Sequence, residues 1–211
     1  MGAAITSVNA GRVTAVPWGA VKRSAIDKRP VRGRVRVHRL GLEPDEIGDP
    51  KNHGGVDQAV YAFAAEDLAW WGDRLGCDIA NGGFGENLTT TGVDLNEVRI
   101  GERWRVGSTV LEVCSVRIPC SVFAGFIDRP RWVRTFTEVG RPGAYLRVVE
   151  EGTIGADDPI EVVEPRYHDI TIGLMFRALT TERALLPRLL EEPRIPAEVR
   201  ERAEGYVSRT A

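Results

Sequence analysis

The sequence is poor in the residues that build several common kinds of site. Its 211 residues include three cysteines and three histidines, and only three lysines stand beside 25 arginines. The cysteines form no CxxC pair, and the histidines show no ligand spacing, so the sequence predicts neither a disulfide framework nor a structural zinc site. The GxxxxGK[ST] phosphate loop is also missing.

Long hydrophobic runs are absent as well. No apolar stretch approaches the roughly 20 residues that a membrane-spanning helix needs, and the opening MGAAITSVNAGRV lacks the charged and apolar regions of a secretory signal. We therefore expect a cytoplasmic protein with no membrane partner. With 43% hydrophobic and 27% charged residues, the composition is that of an ordinary globular protein, long enough to bury a core without disulfides.

The formal net charge of −2 hides an imbalance between segments. Residues 1–40 hold nine basic groups and one acidic group, whereas residues 41–165 hold eleven basic and twenty-two acidic groups. Such an imbalance predicts either an anionic ligand for the basic stretch or ion pairs between the two segments. No aromatic residue interleaves the basic groups of residues 22–39, so we do not expect nucleic acid as a partner.

The chain changes character near Pro165. Before it, apolar segments rich in β-branched residues predict many short strands, with helices over about 64–76 and 120–139. After it come three helix-length stretches, for which Thr181 and Pro196 are start signals. The expected fold is mainly β with α. A β-barrel or closed sheet with inserted helices would cover residues 1–165, and a small C-terminal three-helix subdomain over 166–211 would dock on it.

Two clusters in the first third of the chain carry residues suited to chemistry. In VKRSAIDKRPVRG, Lys22 and Lys28 stand near arginines and Ser24, a combination suited to a phosphate or another anion. In KNHGGVDQAVYAF, two glycines after His53 allow a ligand to approach the backbone, and Asp57 could orient the imidazole or cap a turn. The plainer interpretations are a solvated basic face and a polar turn.

Two further clusters follow, NGGFGENLTTTG and VCSVRIPCSVFAGF. The glycines of the first can present N–H donors to an anion, although a hairpin entry is the plainer interpretation. In the second, Arg117 precedes Cys120 by three residues, and a nearby guanidinium favours the thiolate, which is the nucleophilic and metal-binding form. Cys114 alternates with apolar residues and is expected to be a buried filler.

Taken in this order, the four clusters resemble the MOSC family, the domain named after the C-terminal part of molybdenum-cofactor sulfurase. The resemblance covers roughly residues 20–165 and extends to stand-alone bacterial MOSC proteins that protect against N-hydroxylated purines, which carry a similar C-terminal three-helix extension. It implies a MOSC-type β-barrel that binds the molybdenum cofactor, a pterin with a dithiolene and a phosphate. It also implies reduction of small N-hydroxylated compounds to amines, with electrons from a partner reductase.

The resemblance assigns the chemistry to two residues. Cys120 would ligate molybdenum through its thiolate, and His53, in a motif that marks the subgroup, would supply a proton to the leaving oxygen. The residues that the resemblance places at the cofactor are Lys22, Ser24, Arg29, Asn87, Thr89 and Arg117. Ser121 departs from the pattern, because many relatives are basic after the cysteine, so phosphate binding is expected to depend more on Lys22, Arg29 and Arg117.

Two other functions stay open at this point. One is a non-catalytic module that carries the cofactor or a sulfur group, which would retain the cofactor without reducing hydroxylamines. The other is a metal-free cysteine enzyme using Cys120 and His53, which would lose a hydrolytic activity when Cys120 is alkylated. The sequence leaves open the physiological substrate, the electron donor and whether the protein forms a homodimer.

Overall fold

The computed structural model describes residues 2–18, 21–50 and 53–210. Within these ranges the chain forms a mixed α/β fold of thirteen strands and six α-helices. The strands are β1 (Ala4–Gly11), β2 (Thr14–Ala15), β3 (Arg23–Ser24), β4 (Lys28–Pro30), β5 (Val35–His38), β6 (Gly41–Leu42), β7 (Val60–Ala64), β8 (Leu88–Thr91), β9 (Arg103–Val106), β10 (Thr109–Val116), β11 (Ala144–Glu150), β12 (Gly152–Ile154) and β13 (Ile160–Glu164). The helices are α1 (Ala65–Leu75), α2 (Ser121–Ile127), α3 (Trp132–Val139), α4 (Ile172–Leu179), α5 (Leu186–Leu189) and α6 (Ala197–Thr210), and 3-10 turns cover Val56–Gln58 and Arg183–Leu185.

Eight strands form the central sheet, in the order β13, β9, β10, β11, β7, β8, β1, β4. Its neighbouring strands are antiparallel except β7 and β8, which run parallel and are connected through α1. The strand β7 is buried along its whole length, as expected for a strand covered on both faces. A smaller sheet holds β12, β5 and β6, and β2 pairs with β3.

The predicted β-barrel is confirmed only in part. The large sheet with inserted helices is present, but over the described residues its ladder does not close continuously. Instead, the start of β1 meets the segment before β13 through an isolated bridge between Ala4 and Pro159. Two backbone hydrogen bonds of 2.9 Å flank this bridge, one from Ile5 to Asp158 and one from Ile160 to Ala3. The first and last strands of the sheet-forming region are thereby held together.

The two inserted helical regions form where the sequence predicts them. Helix α1 buries Leu68 and Trp71 and ends at Gly76, whose φ of 68° is left-handed and suits a residue without a Cβ. The second region divides into α2 and α3, and Pro130 lies in the linker between them. None of the helices in the described part of the chain combines the length and the apolar character needed to cross a bilayer.

The C-terminal segment packs on the sheet as part of the same core. Met175 and Phe176 of α4 are buried in the hydrophobic cluster that also contains Leu111 of β10. The second predicted helix is shorter than expected, because Pro187 cannot donate the hydrogen bond that would continue a helix from the preceding 3-10 turn. Thr181 therefore does not begin a helix. The division into domains at residues 165 and 166 stays a prediction.

Candidate active site

A cavity of about 300 Å³ lies near the end of the central sheet. One side of it is formed by Tyr61 on β7, by Tyr145 on β11 and by Arg117 and Cys120, which follow β10. The segment from β3 to the loop after β6 forms the other side. Residues far apart in the sequence therefore meet around one cavity.

Five of the eight predicted site residues line this cavity, namely Ser24, His53, Asn87, Arg117 and Cys120. The four sequence clusters thus contribute to a single site. Ser24 comes from β3, and Asn87 immediately precedes β8. The remaining three predicted residues lie outside the lining, each for a structural reason.

Two predicted basic residues, Lys22 and Arg29, are exposed and do not belong to the cavity lining. Lys22 is exposed, and the exposed guanidinium of Arg29 pairs with Asp27 at 2.8 Å. Side chains alternate along a strand, so Lys28 and Arg29 of β4 face opposite sides. Lys28 therefore lines the cavity and its neighbour Arg29 does not, and a contact of Lys22 or Arg29 with the phosphate stays a prediction.

Lys28 is held by a carboxylate that sequence reasoning missed. Its Nζ lies 2.5 Å from both carboxylate oxygens of Asp45, which also accepts hydrogen bonds from the Asn87 amide at 2.8 Å and the Gly11 N–H at 2.7 Å. Burial lowers the pKa of Lys28; Asp45 opposes this effect, and the charge of Arg117 adds to it. An acidic residue in a loop outside the four clusters gave no sequence signal for this role.

Ion pairing accounts for part of the basic first segment. Besides Lys28, Arg12 pairs with Glu46 at 3.2 Å and Arg34 pairs with Asp158 at 2.8 Å. All of these carboxylates belong to the acidic middle segment. Pairing between the two segments, one of the two explanations offered for the charge imbalance, is therefore present in the fold.

The glycine-rich loop uses its backbone donors internally. The N–H groups of Gly82 and Phe84 donate to the Glu86 carboxylate at 2.5 and 3.0 Å, and the Thr89 hydroxyl donates to it at 2.9 Å. Burial raises the pKa of Glu86, and these hydrogen bonds oppose that shift. Thr89 consequently stabilises the loop from outside the cavity lining, and these two N–H groups serve Glu86 instead of an anionic ligand.

Arg117 supplies a buried positive charge in a fixed orientation. Its guanidinium carbon lies 5.0 Å from the ring centroid of Tyr61 and 4.2 Å from that of Phe123, and the group donates a hydrogen bond to the Phe84 carbonyl. The Tyr61 hydroxyl is itself fixed by a 2.6 Å hydrogen bond to the carbonyl of Pro142. Aromatic faces on both sides favour a planar cation, so the guanidinium is held in place.

Cys120 occupies the N-terminal cap position of α2 and lines the cavity. Burial alone would raise the pKa of its thiol. A hydrogen bond with His53, another from the Phe123 N–H and the charge of Arg117 outweigh burial and lower the pKa to about 7. Near neutral pH a large share of the thiol is therefore thiolate, the form that binds metals and attacks electrophiles.

His53 reaches the thiol from the loop before the first 3-10 turn. Gly54 and Gly55 follow it with φ values of 87° and 81°, a backbone region that favours glycine. Asp57, which the sequence offered as a partner for the imidazole, pairs instead with Arg147 at 2.5 Å. The two glycines therefore serve the turn that carries His53, and Asp57 belongs to a different ion pair.

Sequence reasoning also missed the wall formed by β5 and β6. His38, Leu40 and Leu42 line the cavity, although the segment VRVHRLGL showed only a strand pattern. Alternation was the available signal: Val35 and Val37 are buried in the core, so His38 must face the other side of β5.

The chemistry of these side chains fits the molybdenum cofactor. A thiolate is the soft ligand that a redox metal of this kind prefers. Lys28, Arg117 and the Ser24 hydroxyl provide cations and a donor for a phosphate, and the cavity falls at the lower end of the range of small-molecule sites. Fold and site together define a small-molecule pocket that contains a thiol of lowered pKa, built on a mixed α/β fold.

Comparison with known proteins identifies the class. The MOSC domain profile matches residues 49–161, which is more than half of the chain. Protein YiiM of Escherichia coli (strain K12) is 32% identical over 169 residues, covering 78% of this chain and 74% of that protein. The crystal structure of YiiM from Geobacillus stearothermophilus superposes with a TM-score of 0.81 at 27% identity, over 97% of this chain and 98% of that one. The protein belongs to the MOSC family.

A longer relative is named for an activity. A protein called "Reductase" from Gibberella moniliformis (strain M3125 / FGSC 7600) is 29% identical over 196 residues. The match covers 90% of this chain but 35% of that protein, so this chain corresponds to about a third of the fungal one.

Proposed function

We propose that this MOSC protein is an oxidoreductase that uses the molybdenum cofactor to reduce N-hydroxylated compounds to amines. The observation that carries the proposal is the Cys120 thiol in the cavity, with its pKa lowered to about 7 beside His53 and Arg117. The relative named a reductase supports the redox class. The bridge between Ala4 and Pro159 supports a MOSC-type barrel as the scaffold.

Some residues of the cavity would bind the cofactor, and others hold the binding residues in position. Cys120 would hold molybdenum through Sγ, and Ser24, Lys28 and Arg117 would hold the anionic part of the pterin. Asn87 acts mainly as a positioning residue, because its side-chain amide accepts from the Tyr61 N–H at 3.1 Å and donates to Asp45. The exposed Lys22 and Arg29 would add only long-range attraction for an anion.

The bound cofactor would supply the two-electron chemistry. Reduction of R–NHOH takes up two electrons and two protons, breaks the N–O bond and releases R–NH2 and water. In this scheme His53 delivers a proton to the departing oxygen, from its position beside Cys120. The electrons come from a partner reductase, since the sequence shows no flavin or iron–sulfur motif.

Metal analysis combined with an activity assay tests this function. The protein is purified from a host that makes the cofactor, together with Cys120→Ala and, as a matched control, Cys114→Ala. We expect near-stoichiometric molybdenum and reduction of N-phenylhydroxylamine with an artificial electron donor in the wild type and in Cys114→Ala. Cys120→Ala should lose at least nine-tenths of both. A wild-type preparation without molybdenum or pterin would contradict the proposal, and cofactor without reduction would indicate a carrier module.

A metal-free cysteine enzyme is the second candidate. The hydrogen bond between His53 and Cys120 favours it, because a thiolate beside a histidine is also the arrangement of a nucleophile with its base. This candidate predicts a hydrolytic activity in metal-free protein that disappears when Cys120 is alkylated. The reductase proposal predicts that metal-free protein has no such activity.

A further inference from the structure

The β5–β6 hairpin forms a wall of the cavity but has no part in the function described so far. His38 pairs with Gly41 in the ladder, so Arg39 and Leu40 form a two-residue turn. His38, Leu40 and Gly41 all line the cavity. The hairpin therefore presents one imidazole and one apolar side chain to whatever occupies the space next to Cys120.

The turn is held on both sides, so that Leu40 has a defined place. The N–H of Arg39 donates to Glu151 at 2.9 Å on one side. On the other side, Gly41 has a φ of 143°, and a Cβ at this position would lie 3.0 Å from the Ala59 carbonyl oxygen. Because glycine has no side chain, the turn can pack against Ala59, the residue before β7. These contacts fix the position from which Leu40 reaches the cavity.

Leu40 and Ile47 give the cavity an apolar rim. They are 52% and 42% exposed, and both line the cavity, although turns usually carry polar residues. Single exposed apolar residues are common on protein surfaces. Leu40 and Ile47 border the same cavity, however, and a flat apolar ligand bound there would shield both side chains from water.

His38, which also lines the cavity, adds a hydrogen-bonding group to this rim. Its Nδ1 accepts a hydrogen bond from the Leu40 N–H at 3.3 Å, so the neutral ring carries its proton on Nε2. His53 is engaged with the Cys120 sulfur, and His38 is thus a second imidazole of the cavity with a different task.

We propose that in this protein the β5–β6 hairpin, together with Ile47 in the loop that follows it, is the part of the cavity that recognises the aromatic ring and the hydroxyl group of an N-hydroxylated substrate. Leu40 and Ile47 hold the ring, and the Nε2–H of His38 donates a hydrogen bond to the hydroxyl oxygen. This inference rests on the proposed function and deepens it, because it names the specificity-determining residues of that reaction.

Ligand binding tests the proposal without turnover. Protein from a host that makes the cofactor is titrated, with no electron donor, with 4-fluoroaniline and with N-(4-fluorophenyl)hydroxylamine, and binding is followed by fluorine NMR. We expect Leu40→Ser to weaken both ligands about five-fold through lost apolar contact. The matched control is Val163→Ser, an exposed apolar residue on β13 outside the cavity lining, which should bind both ligands as the wild type does.

Variants of His38 separate hydroxyl recognition from ring contact. His38→Phe should weaken N-(4-fluorophenyl)hydroxylamine about five-fold and leave 4-fluoroaniline unchanged, because only the first offers the hydroxyl. His38→Gln keeps a donor and should recover most of that loss. In turnover, Leu40→Ser should raise KM for N-phenylhydroxylamine and leave unsubstituted hydroxylamine unaffected.

The results distinguish two kinds of failure. Equal binding by Leu40→Ser and the wild type, equal losses of both ligands in His38→Phe, or no binding of either ligand by the wild type would overturn the hairpin proposal. A preparation that lacks molybdenum but shows the expected binding pattern would overturn the reductase function and would still support recognition of the ligand by the β5–β6 hairpin.

Discussion

The strand interior around Cys114 and the cavity wall around Cys120 shift the pKa of the same functional group in opposite directions. On β10, burial raises the pKa of Cys114, and its thiol donates to the carbonyls of Asp57 and Tyr145 at 3.2 and 3.4 Å. At the start of α2, burial also opposes ionisation of Cys120, yet its pKa falls to about 7. Burial alone therefore does not decide which thiol is reactive.

Cys114 is more deeply buried than Cys120, and the two thiols also differ in the neighbours of the arginines beside them. Arg147 lowers the pKa of Cys114, but Asp57 and Glu112, which pair with that guanidinium at 2.5 and 3.1 Å, act against it. Arg117 packs against aromatic rings, forms no ion pair with a carboxylate within the described residues, and lowers the pKa of Cys120 through its charge. A nearby cation thus activates a thiol where carboxylates do not neutralise it and where donors reach the sulfur.

The largest effect on this comparison is expected from Arg117→Ala. Removing a buried side chain that fills the space between Tyr61 and Phe123 should lower the free energy of unfolding by about 3 kcal/mol. The variant should also raise the pKa of Cys120. Chemical denaturation measures the first effect and alkylation the second. Arg134→Ala, at an exposed pair with Glu138, is the matched control and should cost below about 0.5 kcal/mol; equal losses in the two variants would contradict this account of Arg117.

A smaller effect is expected from His53→Ala. Loss of the hydrogen bond to the sulfur should raise the pKa of Cys120 by about one unit, which cuts alkylation at pH 7 about five-fold. The rate is measured by mass spectrometry in cofactor-free protein, with the exposed Cys77 as the internal reference. His168→Ala, whose imidazole contacts Glu192 outside the cavity lining, should leave the rate unchanged. An unchanged rate in His53→Ala would show that the histidine does not activate the thiol.

The smallest effect is expected from Asp57→Asn, which changes the surroundings of Cys114. It removes one negative charge near Cys114, but burial is the largest cause of the raised pKa there. Alkylation of Cys114 in the folded protein should change less than about two-fold. If Cys114 became as reactive as Cys120 in this variant, the charge of Asp57 and not burial would be the main cause of the raised pKa of Cys114.

Much of the fold could be predicted from the sequence, because its signals are local. The apolar pattern of α1 and its terminal Gly76, and the interruption near Pro130, depend on periodicity and backbone chemistry within a few residues. The short strands β3, β4 and β12 were missed, since two or three residues carry too little pattern. The isolated bridge between Ala4 and Pro159 joins residues far apart in the sequence, and no local pattern reveals such a contact.

Part of the site could be predicted from short motifs whose side chains have characteristic chemistry. Cys120 and Arg117 were predicted from their three-residue spacing, the role of His53 came from the resemblance to the MOSC family, and all three residues line the cavity. Whether Lys28 or Arg29 lines the cavity depends on which face of β4 turns inward, and the sequence of a three-residue strand does not specify that face. Asp45 and His38 reach the cavity only through tertiary packing.

The pH dependence of alkylation at the two thiols tests the central claim most directly. In cofactor-free protein the thiolate fraction of Cys120 should rise with pH through a midpoint near 7, so its alkylation rate should level off above that pH. Cys114 should stay unmodified in the folded state over the same range. A midpoint for Cys120 near the ordinary thiol value of about 8.5, or equal rates at Cys120 and Cys77, would contradict the account.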